Sequence, residues 1–208
     1  MTIRTHLYGC ANTPLSYVYA LVDAYVTRSH HALAPTISHA EDPDSLALCS
    51  SKYDHTTLFC RWSPWWDLLP FLLHHLSQPL LVFHMYEDDF WQYDLYSNQI
   101  MIDSYTASWL FYPPDACPDL PTCQQKVHTF LRYWPMGQVA TLAHYFIPWT
   151  QDDYPYVRTT PPDKAYPQDT YTRGDAWQVA DFMEKVGLMF PIAPSRTLLG
   201  ETYRVIPR

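Results

Sequence analysis

Residues 59–105 read FCRWSPWWDLLPFLLHHLSQPLLVFHMYEDDFWQYDLYSNQIMIDSY, and this stretch decides the fold. Ser63-Pro64 pairs a capping residue with a proline at the first helical position, where a missing N–H costs nothing. Trp65, Leu68, Leu69, Leu72, Leu73 and Leu76 follow at helical spacing and predict one apolar face. Pro70 falls inside that pattern and predicts a kink or a tight first turn. Leu80–Tyr86 is apolar on both faces, as a central strand is. Trp91, Tyr93 and Leu95 then alternate with polar residues, as do Ile100 and Ile102, so the stretch ends in a hairpin. A turn at Ser97-Asn98 sets Leu95 against Ile100 and Tyr93 against Ile102. A turn at Asn98-Gln99 would oppose Asp94 and Asp103, and facing like charges are destabilising. The first register is therefore expected.

Outward from this core, residues 2–8 alternate as a half-buried strand, and Gly9 to Asn12 turn the chain. Thr13-Pro14 opens a helix with a stripe at Leu15, Val18, Leu21, Val22, Tyr25 and Val26. Residues 33–54 lack periodicity and read as a loop with one short strand at Thr36–His39. Residues 56–62 form the next strand. Thr122 with Gln125 has capping-box spacing and opens a helix to Tyr133. A short helix over Gln138–Phe146 follows. Residues 148–174 are rich in Pro, Asp, Tyr and Thr and read as a long loop, a kind of segment that is commonly functional. Asp175 with Gln178 opens a helix to Val186, with Asp181 and Lys185 at pairing distance. Gly187 is placed for a left-handed cap that lets Leu188 fold back on Met183. Glu201–Ile206 is a last strand. The expected architecture is a single domain over residues 1–208, of class α+β. Its mixed or antiparallel sheet has four to six strands, with helices packed on at least one face.

Two pieces, DDFWQYDLYSNQIMIDSY and DAWQVADFMEKVGLMFP, resemble segments of uncharacterised bacterial proteins that join an aromatic hairpin with a central LY to a later WQ…DFM.K.GL helix. The resemblance implies a bacterial, intracellular setting and carries no function, ligand or catalytic residue.

The composition bounds the function. Thirteen basic and 21 acidic residues give a formal charge of −8. No run of Lys or Arg supplies the footprint of a nucleic-acid binder, so no nucleic-acid partner is expected. The N-terminus lacks a signal-peptide pattern and no stretch is apolar enough to cross a membrane, so a cytoplasmic protein with no membrane partner is expected. The five cysteines suit a reducing compartment.

No phosphate-binding loop, dinucleotide fingerprint or Gly-framed serine is present, and no cofactor is expected. His30-His31 and His74-His75 point in diverging directions on a helix. Cys117 and Cys123 are not in a Cys-x-x-Cys arrangement, so no metal site is expected. The carboxylates Glu87, Asp88 and Asp89 mark a solvated turn that could dock a cationic partner. Tyr154, Tyr156, Tyr166 and Tyr171 stand in a loop with little aliphatic content, which argues for a surface that meets something. The sequence therefore points to a binding protein with a protein partner, such as an adaptor, inhibitor or immunity-type accessory. It would act through those four tyrosines and the acidic turn. The competing reading is an enzyme, either a Cys–His hydrolase using Cys10 or Cys49 or a metal-dependent nuclease using His84, Asp88 and Asp89. A third is a small-ligand or nucleotide sensor lined by Trp and Tyr.

Overall fold

The computed structural model describes residues 4–51, 53–61, 65–86, 89–108, 110, 118–154, 157 and 163–208. The described strands are β1 (Arg4–Cys10), β2 (His31–Pro35), β3 (Ser45–Ser50), β4 (Thr56–Cys60), β5 (Leu80–Tyr86), β6 (Phe90–Ser97), β7 (Ile100–Thr106) and β8 (Glu201–Pro207). They form one sheet in the order β2-β8-β3-β4-β1-β5-β6-β7, and every neighbouring pair is antiparallel. The helices are α1 (Leu15–Arg28), α2 (Trp65–His75), α3 (Leu120–Tyr133), α4 (Val139–Leu142) and α5 (Gln178–Lys185). The α+β class holds, but the sheet has eight described strands where the sequence predicts four to six.

The extra strands are β2 and β3, which lie in the stretch expected to be a loop. Ser45–Leu48 and Cys49 are buried, because β3 sits between β8 and β4 with both faces covered. A strand buried on both sides shows no alternation, so periodicity does not reveal it. β2 is an edge strand with a weak pattern. Within the expected strand at 36–39, only an isolated bridge from His39 to Thr197 forms.

Alternate residues of the central strands feed two cores. Tyr8, Leu58, Leu80 and Val82 pack with Val18, Val22 and Val26 of α1 and with Leu68 and Leu72 of α2. Leu7, Phe59, Leu81 and Phe83 face the other way, into a larger core with α3, α4, α5 and the segments between them. Both faces of the sheet are therefore covered. Pro70 stays inside α2. Ser63 and Pro64, its expected start signal, lie outside the described residues.

Four local expectations are corrected. Gly9 does not turn the chain; it lies within β1, opposite Thr57 and Leu81. A Cβ there would sit 2.4 Å from Leu188 Cδ1, so the bare backbone makes room for Leu188. Thr13 does not cap α1: its hydroxyl donates to Ala11 O at 2.7 Å, and Pro14 is the cap residue. α3 is capped by Asp119, whose carboxylate accepts the Thr122 N–H at 3.0 Å. α5 begins at Gln178, while the Asp175 carboxylate accepts the Trp177 N–H at 2.9 Å.

The hairpin turns at Asn98-Gln99, with φ of 50° and 67°, the left-handed pair that matches strand twist. A bulge between Leu95 and Tyr96 then shifts the register, so Asp94 faces Ser104 and Leu95 faces Asp103. The like-charge pair that argued against this turn is thus avoided by the bulge. Tyr93 donates its hydroxyl to Asp103 Oδ2 at 2.6 Å, and Lys126 pairs with the other oxygen at 3.2 Å.

Candidate functional site

The residues expected to bind divide sharply. Glu87, Asp88 and Tyr156 lie outside the described residues. Asp89 is exposed at the β5–β6 turn. Tyr154 is only 4% exposed, which corrects its placement on a contact surface: its hydroxyl donates to Ser108 Oγ at 3.0 Å and its ring meets Trp149. Tyr166 is half-buried against His144 and Tyr145, and its hydroxyl accepts the His144 N–H at 3.2 Å. Tyr171 is half-buried beside Trp177. It borders a hollow of about 200 Å³ shared with Pro194 and Arg196. Aromatic rings supply apolar area as well as aliphatic chains do, so a tyrosine-rich loop can join a core.

Carboxylates pin the described part of that loop. Asp181 does not pair with Lys185 but accepts the N–H groups of Thr170 and Tyr171 at 3.0 and 2.7 Å. Asp153 takes Arg173 Nε at 3.1 Å and Nη2 at 3.2 Å, and the same Nη2 reaches Pro148 O at 2.9 Å. Burial pushes the Asp153 carboxyl up, but the Arg173 and Thr150 donors outweigh it and hold it below the ordinary range. This contribution to stability is complete above about pH 4 and is lost as pH falls through the depressed folded value. Replacing Arg173 with Met is expected to loosen the loop by about 2 kcal/mol. Faster amide exchange at Thr150, Thr170 and Tyr171 would register it; unchanged exchange would show that the pair pins nothing.

On the α1/α2 side of the sheet, His6 stands opposite Cys60 on one neighbour and His84 on the other. The two Nδ1 atoms are 2.9 Å apart, and His84 Nε2 lies 3.2 Å from Asp94 Oδ2. A carboxylate oxygen accepts, so His84 Nε2 donates to it, and His84 Nδ1 then accepts the hydrogen bond of His6 Nδ1–H. Cys60 and His6 are buried, so this polar row is closed to a substrate at that end. His84, named in the nuclease reading, is engaged by Asp94. No group of three His, Cys, Asp or Glu among the described residues is placed to hold a metal ion. Burial pushes the Cys10 and Cys49 thiols up to about 12, so both are protonated at neutral pH, unlike an activated nucleophile.

A more open concavity forms where the β3–β4 hairpin loop meets the end of α5. Two hollows of about 440 and 330 Å³ share Tyr53, Glu184 and Gly187. Ser50, Ser51 and Met189 line the first; Met136, Gln138 and Lys185 line the second. The helix end shapes the site. Gly187 has φ +77°, and Leu188 N–H returns to Met183 O at 2.8 Å, the closure expected of a left-handed cap. That turn releases Met189 outward at 39% exposure. Tyr53 rises from the facing loop at 55% exposure, and its Cδ2 lies 3.1 Å from where a Gly187 Cβ would be. Any side chain at 187 would crowd the groove wall.

Beneath Tyr53 lies His55, 1% exposed, with its ring against Trp134 at 5.5 Å. Its Nδ1 accepts the Asn12 N–H at 2.9 Å. Burial lowers its pKa, with Asp54 acting in the opposite direction. Reading the sequence by periodicity missed Tyr53, His55, Glu184 and Met189. The available signal was a lone tyrosine in the polar SSKYD turn, which has no strand pattern to place it inside.

No family model matches the chain, and neither the curated proteins nor the solved structures yield a match.

Proposed function

We propose that this chain is a cytosolic bacterial interaction protein, an adaptor, inhibitor or immunity-type accessory, that holds a protein partner on an aromatic and acidic surface. The groove between Tyr53 and Glu184 is that surface. One observation carries the reading: an exposed tyrosine and an exposed methionine rim a concavity whose acidic side chain is Glu184. Aromatic and Met side chains are enriched at contact surfaces, and a buried tyrosine anchor there is commonly worth about 2 kcal/mol or more. Tyr53 is thus a better anchor than Tyr154, Tyr166 and Tyr171, whose rings largely serve the core. The hairpin residues Ile100 and Met101 are also exposed, but no carboxylate-lined hollow among the described ones includes them.

A photo-reactive phenylalanine at position 53 tests this, with one at 101 as control. In cells, irradiation should give a discrete cross-linked species from position 53, and Glu184→Lys should abolish it. Equal cross-linking from both positions, or indifference to Glu184→Lys, would overturn the assignment.

A further inference from the structure

His55 holds a hydrogen-bond donor that nothing in the described fold uses. Its Nδ1 accepts the Asn12 N–H, so the proton of the neutral ring resides on Nε2. Nε2 is buried and makes no hydrogen bond among the described residues. Buried donors without acceptors are uncommon in native proteins, and each calls for an explanation. Here the bond to Cδ2 places Nε2 beside Gly187. The Nε2–Cδ2 edge lies opposite Nδ1, hence away from Asn12, and Cδ2 is 3.5 Å from the position of a Gly187 Cβ. Gly187 lines both hollows, and the Tyr53 ring covers the same spot, with its centroid 6.2 Å from that of His55.

The chemistry narrows the occupant. A donor at Nε2 takes an acceptor, either a neutral carbonyl or a carboxylate. The groove favours the neutral one, because Glu184 stands in it and the C-terminal end of α5 presents the negative end of its dipole. Lys185 also borders the second hollow, but its ammonium lies 3.8 Å from the Asp169 carboxylate. Charge complementarity therefore selects a cation for Glu184 together with an uncharged acceptor for His55. A peptide carrying Lys or Arg supplies both, and with the Tyr53 ring displaced the missing side chain at Gly187 leaves room for a second backbone to approach.

We infer that the groove binds an extended cationic segment of the partner protein, one of whose main-chain carbonyls accepts the His55 Nε2–H once Tyr53 swings aside. This assignment rests on the interaction reading above and names what that surface takes.

The test uses the full chain with ¹⁵N-labelled histidine at pH 7. The probes are acetyl-Ala-Lys-Ala-Lys-Ala-amide, its Glu twin and n-butylamine, a cation without a carbonyl. The Lys peptide should bind saturably and move the His55 Nε2–H resonance. The Glu twin, and the Lys peptide on Glu184→Gln, should each bind about tenfold more weakly. His55→Phe should weaken the peptide while leaving butylamine unchanged. If butylamine binds as tightly as the peptide, the site is a small-amine site and the inference falls. It falls also if the peptide binds without moving the His55 signal. If no peptide binds while position 53 still cross-links a partner, the cationic segment is wrong and the interaction reading stands.

Discussion

Truncating Phe182 to Ala is expected to cost about 3–5 kcal/mol of folding stability, a large part of what a domain of this size holds. Phe182 is fully buried on α5. Its ring lies parallel to Tyr93, 5.9 Å away at 5° between planes, and 5.2 Å from Trp91. It also meets Phe83, Phe130, Tyr145 and Phe146 at centroid distances from 5.6 to 6.1 Å. Strands β5 and β6, helix α3, the turn over Ala143–Phe146 and α5 therefore converge on one side chain. Rings held by so many independent elements cannot all move inward, so most of the cavity persists and the cost lies high in the range. Phe182→Leu fills part of that volume and should cost less. Urea unfolding of the two variants measures both, and a loss under about 1 kcal/mol for Phe182→Ala would mean that the aromatic core collapses freely around the gap.

The legible features were those decided by near neighbours in sequence. The α1 stripe, the apolar run of β5 between two other strands and the left-handed cap at Gly187 all follow from spacing within a turn or two. What was hidden depended on partners far along the chain. β3 shows no alternation because β4 and β8 flank it and both its faces are covered. The β6–β7 bulge arises from the whole hairpin, although the charge conflict it relieves was visible in the sequence. Tyr154 reads as a surface residue until Ser108 and Trp149 are seen around it. The groove is of the same kind. Tyr53 and His55 come from one hairpin loop, Glu184 and Gly187 from a helix end much later, and only the fold brings them together.

Gln178 presents the second large effect. It is 1% exposed, and its Oε1 accepts two indole donors, Trp149 Nε1 at 3.2 Å and Trp91 Nε1 at 3.4 Å. One amide thus ties α5 to β6 and to the segment that continues from Phe146. Gln178→Met keeps the length of the side chain but leaves both indole N–H groups buried without that acceptor. Each such orphan costs about 1–3 kcal/mol, so the substitution should lose roughly 3 kcal/mol by denaturant unfolding. The cause is the stranded donors rather than lost packing, and a double-mutant cycle separates the two. In a Trp149→Phe background one donor is already gone, so Gln178→Met should cost less there by about 1 kcal/mol or more. Adding Trp91→Phe removes the second donor, and the remaining cost should then approach that of an ordinary buried polar-to-apolar exchange. A cost that stays constant across all three backgrounds would locate the contribution of Gln178 in its shape, and the indole bonds would then contribute nothing to its stabilising role.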